Sequence, residues 1–172
     1  VTPLLSHVSD HYVRTYLDLS HRATDANAAI DALGHVYHCP ECLHRDYDEG
    51  LTADPPETCA VCGGDNVVTA GPVWLEQTHD PDFVAAVRDE LDDTMATATR
   101  ADRTLDRLAG ELDVPMHFDQ HRLYKRWSEP AIAMDEFLAT LREAGYAASR
   151  THYGGTTFKT TARVDEIEAA LR

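Results

Sequence analysis

Lysine is almost missing from this chain: Lys125 and Lys159 are the only two, beside 13 Arg, 19 Asp and 11 Glu. With a formal net charge of −15, that balance suits concentrated salt, where hydrated carboxylates keep a surface soluble and the greasy lysine stem is avoided. The composition therefore reads as that of a halophile, and it bears on partners. At molar salt the Debye length falls to about 3 Å, so overall acidity does not exclude a polyanionic ligand and only the local surface counts. Long hydrophobic runs are missing too. None approaches the roughly 20 apolar residues that a bilayer-spanning helix needs, and no basic segment leads into a short apolar one as in an export signal. The expectation is a cytoplasmic protein with no membrane partner, and an opening at Val1 leaves room for a missing start.

Signatures of chemistry are absent as well. No G-x-G-x-x-G follows a strand, and no Walker loop, H-E-x-x-H or G-x-S-x-G occurs, so no nucleotide cradle or hydrolytic centre is offered. Asp54-Pro55-Pro56-Glu57 has the start of a D-P-P-aromatic turn that can hold an exocyclic amine, but lacks the aromatic residue and reads as turn material. No catalytic and no cofactor-binding residue is expected in this chain by itself.

Cysteine is scarce but ordered. All four fall as Cys39-x2-Cys42 and Cys59-x2-Cys62, with 16 residues between the pairs. Two such turns can each present two thiolates, and together they make the tetrahedral sulfur cage of a structural Zn²⁺, closed to water and so without catalytic work. Two disulfides, or a redox C-x-x-C, are the competing readings; the cytoplasmic setting opposes the first and the lack of a thioredoxin-like βαβ context the second. His35, His38 and His44 stand close by and read as bystanders, since four thiols already complete the site.

A chain of 172 residues can bury roughly 70% of its unfolded surface without staples. Tyr12–Leu19 alternates like a half-buried strand, Thr24 caps a helix stopped by Gly34, and strands at 35–37 and 67–75 complete a small α/β layer. Asp80-Pro81 opens a helix with Phe83, Val87, Leu91 and Met95 at four-residue intervals, and residues 97–102 read as a joint before Leu105, Leu108 and Leu112. Beyond Pro115 come a basic amphipathic piece at 121–127 and a helix lined by Met134, Phe137, Leu138 and Leu141. A hairpin about Gly154-Gly155 and a closing helix follow. The fold class expected is α+β: a zinc-bearing α/β subdomain over 1–79, a helical connector over 80–113 and a winged-helix-like module over 114–172.

One further absence is local. Residues 145–163, GYAASRTHYGGTTFKTTAR, hold no Asp or Glu, although the chain has 30 acids against 15 bases. Arg122, Lys125 and Arg126 share a helix side, and Arg150, His152, Lys159 and Arg163 add to the same basic region. Arginine forks grip phosphate with two donors, Ser149, Thr151, Thr156 and Thr157 offer hydroxyls, and in brine such geometric contacts outlast bare charge attraction. The region reads as an RNA-binding face with Arg150 and His152 pointing the same way.

PLLSHVSDHYVRTYLDL, the HCPEC and CAVCGG knuckles, AGPVWLEQTHDPDFV and GYAASRTHYGGTTFKTTA resemble the C-terminal part of the archaeal and eukaryotic tRNA (guanine-26 N2)-dimethyltransferases, over nearly the whole chain. The resemblance implies an enzyme that moves one or two methyl groups from S-adenosylmethionine to the exocyclic amine of a tRNA guanine. Its Rossmann-like catalytic domain would precede Val1 and be this chain's partner, together with tRNA. It implies Ser149, Arg150, Thr151, His152, Lys159 and Thr160 as the family's hairpin motif, and the four cysteines as a zinc site. Gly154-Gly155-Thr156 stands where the family has a proline in the turn, and Thr161 where it has Asn or Asp. A zinc-containing winged-helix regulator that binds duplex DNA as a dimer, and a zinc module that binds only protein, are the other readings.

Overall fold

The computed structural model describes residues 1–9 and 11–172. The first two strands form a ribbon: β1 (Thr2–Ser9) runs antiparallel to β2 (Tyr12–Asp18), with a bulge between Pro3 and Leu5. β1 escapes sequence periodicity because that bulge shifts its alternation by a residue. One face carries the pairs Ser9↔Tyr12, His7↔Arg14 and Leu5↔Tyr16. It lies over a groove of about 450 Å³ walled by Phe83, Val87, Leu105 and Leu108. The other face, with Val8↔Val13, Ser6↔Thr15 and Pro3↔Leu17, looks outward. β2 is exposed along its full length rather than half-buried as its alternation suggests.

After α1 (Ala23–Asp31), β3 (Leu33–His38) forms the centre of a sheet ordered β4-β3-β5 with β4 (Arg45–Glu49) and β5 (Val68–Trp74). Both pairings are antiparallel, so the layer is an antiparallel sheet with one helix before it. Thr24 does not cap α1; Arg22 occupies the N-cap position, and the Thr24 hydroxyl donates to Asp25 instead. Nor does Gly34 stop the helix. It sits inside β3, where a Cβ would collide with the Asp48 carbonyl and the Leu75 side chain.

α2 (Pro81–Asp89) starts as its sequence dictates: the Asp80 side chain accepts from the Phe83 N–H at 2.8 Å, with Pro81 in the first turn. α3 (Ala98–Ala109) packs Leu105 and Leu108 against Val84 and Leu5. The segment expected as a joint is α3's own first turn, and the break falls at 90–97. Arg88 joins the two helices, its Nε reaching Asp102 at 2.6 Å and its Nη1 reaching Asp106 at 2.8 Å, which clamps the middle of α3 to α2.

The last part runs β6 (Phe118–Asp119), α4 (Gln120–Trp127), α5 (Met134–Glu143), β7 (Ala148–Arg150), β8 (Thr157–Thr160) and α6 (Val164–Leu171). Its antiparallel sheet has the order β6-β8-β7. Leu123, Tyr124, Trp127, Phe137, Leu138, Leu141, Phe158 and Ile167 form the main core, each large side chain contributing about 1.5 to 3 kcal/mol by burial. The hairpin strands are shorter than their sequence suggests, and 151–156 is a loop. No helix of the described residues is long and apolar enough to cross a membrane.

Candidate metal centre and nucleic-acid face

The two C-x2-C turns are near copies. Cys39 N–H donates to His44 O at 2.9 Å while Leu43 N–H donates to Cys39 O at 2.8 Å; Cys59 N–H donates to Gly64 O and Gly63 N–H to Cys59 O, both at 2.8 Å. Each turn closes through a left-handed residue, Leu43 (φ 66°) in the first and Gly63 (φ 73°) in the second. Glycine takes that conformation freely. Leucine does not, and here its side chain is held there by burial in the main core.

The four sulfurs lie within 4.8 Å of one another, with Cys39 to Cys62 at 3.6 Å and Cys42 to Cys59 at 3.5 Å. A disulfide needs about 2.05 Å, whereas an S₄ cage with metal–sulfur bonds of about 2.3 Å has edges near about 3.8 Å. The cysteines are free thiols arranged as a site that could hold a metal ion. Burial pushes the Cys59 thiol up, but the N–H groups of Cys62 and Val61 aimed at its sulfur outweigh this and bring it to about 7. Burial raises Cys42. His35, His38 and His44 stay outside the sulfur cluster.

The hairpin residues are not where phosphate contact requires them. Ser149 Oγ accepts from the Leu112 N–H at 2.9 Å, Thr151 Oγ1 lies 2.6 Å from Thr157 Oγ1, and Thr160 Oγ1 donates to Ala147 O at 2.7 Å. Lys159 Nζ sits 3.1 Å from Glu111 Oε1 and His152 Nδ1 2.8 Å from Glu111 Oε2, and the side-chain exposures of Lys159, His152 and Glu111 are 8%, 3% and 1%. The Val8 N–H donates to His152 Nε2 at 3.2 Å, which makes Nδ1 the protonated nitrogen that donates to Glu111. The side chains of Ser149, Thr151, His152, Lys159 and Thr160, expected to meet RNA, are buried, and their polar groups join β1, the end of α3 and the hairpin to one another. Arg150 keeps partial exposure but is held by Asp135 at 2.8 Å, whereas His152, beyond the end of β7, is held by Glu111. The stretch without acids is served by acids from elsewhere in the chain.

Arg122, Lys125 and Arg126 are exposed on α4, whose buried side carries Leu123, Tyr124 and Trp127. The Asp119 side chain caps the helix by accepting from the Arg122 N–H at 3.1 Å. Arg126 Nη1 reaches back to the Glu41 carbonyl at 2.7 Å and so ties α4 to the first cysteine turn.

A family model described as TRM, N2,N2-dimethylguanosine tRNA methyltransferase, matches residues 1–172. The chain belongs to that family. The tRNA (guanine(26)-N(2))-dimethyltransferases of Halobacterium salinarum and Haloarcula marismortui are each 58% identical to it, covering 99% and 98% of this chain. The Methanosarcina mazei protein of the same name is 38% identical over 170 residues, 98% of this chain. Trm1 from Pyrococcus horikoshii, solved with S-adenosyl-L-methionine, superposes with a TM-score of 0.83 at 26% identity, over 98% of this chain and 43% of that one. Against the two salt-loving relatives the chain spans 46% of their length, about half. The resemblance read from the residues is borne out, as is the halophile composition; the family match offers no support for a duplex-DNA regulator.

In this TRM-family chain two site residues escaped the sequence. Glu111 is one acid among 30, and nothing local distinguishes it from the solvated ones. Leu43 follows a knuckle cysteine where its counterpart is Gly63, an asymmetry that is visible in sequence and marks the turn with a second duty.

Proposed function

We propose that this chain is the tRNA-gripping C-terminal portion of an S-adenosylmethionine-dependent tRNA (guanine-26 N2)-dimethyltransferase that works in the cytoplasm. The cofactor and the reacting amine are held by a Rossmann-like portion outside residues 1–172. The observation that carries this reading is identity of 58% across 99% of the chain to a protein of that name. In this scheme S-adenosylmethionine supplies the methyl group. The residues here bind and orient tRNA, with Arg122, Lys125 and Arg126 of α4 offered to its backbone.

The succession β6, α4, α5, β7, β8 with sheet order β6-β8-β7 supports a winged-helix-like module over 114–172, joined by a helical connector over 80–113 to a zinc-bearing part over 1–79. The ion is structural Zn²⁺, for which a closed four-thiolate cage is the fitting donor set. The rest of the enzyme packs on the outer face of the β1–β2 ribbon, where Val13, Leu17 and Leu19 are exposed by 71%, 45% and 68% in a chain about half as long as its relatives.

The test uses the intact protein with S-adenosylmethionine and tRNA. Methyl groups should appear on the N2 of one guanine, seen by mass spectrometry of digested nucleosides. Lys125→Glu should raise the KM for tRNA about tenfold and leave S-adenosylmethionine affinity unchanged. Methylation of another base or atom would overturn the reading.

A further inference from the structure

In a chain with 30 acids and 15 bases, cations easily find carboxylates: Arg88 holds Asp102 and Asp106, Arg150 holds Asp135, Arg172 holds Glu129 and Glu168, and Lys159 holds Glu111. Several arginines have no ion pair among the described residues, and two of them, Arg45 and Arg122, stand at one junction. Arg45 opens β4 directly after the first cysteine turn, opposite His38 in the strand register. Its half-buried guanidinium lies 4.6 Å from the centre of the Phe118 ring. Phe118 is followed at once by Asp119, the cap of α4, and Arg122 stands exposed in the first turn of that helix.

Burial first, and then the charge of Arg122, pull Arg45 down to about 10. Asp119, whose charge also reaches Arg45, is already engaged: Oδ1 accepts from the Arg122 N–H at 3.1 Å and Oδ2 from the Thr156 hydroxyl at 3.1 Å. Among the described residues, neither guanidinium has a carboxylate partner. Packing on Phe118 holds the flat cation of Arg45, and Arg122 presents a second, exposed cation in the first turn of the helix that follows. An unpaired, half-buried cation next to a like charge is unfavourable unless an anion completes the group, and a guanidinium fork matches phosphate with two donors.

We infer that Arg45 and Arg122 form a phosphate clamp for the tRNA backbone across the junction of the knuckle sheet and α4, with Lys125 continuing it one turn along the helix. The inference rests on the tRNA reading above. It gives the cysteine turns a positioning role. Leu43 buried in the main core and Arg126 on the Glu41 carbonyl fix the first turn against α4, and thereby set where Arg45 stands relative to Arg122.

In the intact, metal-loaded protein, Arg45→Gln and Arg122→Gln should each weaken binding of folded tRNA about tenfold and flatten the slope of log affinity against log salt by about one. Metal content and Tm should hold, which separates loss of a phosphate contact from loss of structure. If Arg45→Gln disturbs its packing on Phe118, the exposed Arg122 still decides. Unchanged affinity and slope in Arg122→Gln overturn the clamp while leaving the tRNA reading in place; wild-type protein that does not bind tRNA overturns that reading itself. Duplex DNA held as tightly through the same two residues overturns the assignment of tRNA as the ligand.

Discussion

Glu111 determines what the hairpin motif does. Its carboxylate is almost wholly buried, with Lys159 on one oxygen and the His152 ring and backbone N–H on the other, at 3.1, 2.8 and 3.1 Å. Burial alone would push this acid up. His152 and Lys159 outweigh it and hold Glu111 below the usual glutamate range. A lowered folded-state pKa means that the contribution to stability is present above the ordinary value of about 4.3 and is lost as pH falls below it. Removing the cation alone leaves a buried charge facing a neutral imidazole. Lys159→Ala should therefore cost about 3 kcal/mol in chemical denaturation. The pair Glu111→Gln with Lys159→Met should recover part of that, because no charge is then stranded. Unaltered stability with weakened tRNA binding would return Lys159 to a surface role.

At the scale of elements, the knuckles are the part most dependent on something besides packing. Each is a six-residue turn with two backbone bonds, and β3 and β4 are joined through the first of them. Cys39, Cys42 and Cys59 pack mainly on one another, with Val61 and Val67 alongside. A cluster that small would depend for its stability on a metal ion held by the four thiols. Stripping the ion with a strong chelator at neutral pH should abolish hydrogen-exchange protection in 39–47 and 59–64 while leaving α5 and α6 protected. Equal protection with and without metal would contradict a structural site. The knuckles, the Asp80 cap and the apolar face of α5 were legible because each depends on residues within one turn or one short spacing. The internal bonding of the hairpin was not legible, for the opposite reason. Its strands and glycines are local signals, but the burial of Lys159 depends on Glu111, 48 positions earlier, and that of His152 on Val8, 144 positions earlier. A basic stretch without acids looks the same in sequence whether its counter-charges are phosphates or distant carboxylates; burial alone separates the two.

For the molecule as a whole, contacts between distant parts of the sequence favour one arrangement. Leu43 enters the main core, Arg126 grips the first knuckle, and His152 joins the hairpin to β1. The part least accounted for by the chain itself is the outer face of the ribbon. Its inner residues cover the groove beside α2 and α3, whereas Val8, Val13, Leu17 and Leu19 line no groove and stay exposed by 36%, 71%, 45% and 68%. A strongly acidic protein with a mean hydropathy of −0.39 has little reason to keep four such side chains on a two-stranded ribbon unless another surface covers them. If the cofactor-bearing portion is that cover, Val13→Asp with Leu17→Asp should lower the Tm of residues 1–172 only slightly, since the two side chains are already exposed by 71% and 45% there. In the intact protein the same pair should open the junction to limited proteolysis and slow methyl transfer at least tenfold, with S-adenosylmethionine affinity retained, because about 2 to 3 kcal/mol of apolar burial is lost from the interface. Intact protein that resists the protease and transfers methyl at the wild-type rate would show that the ribbon faces something else.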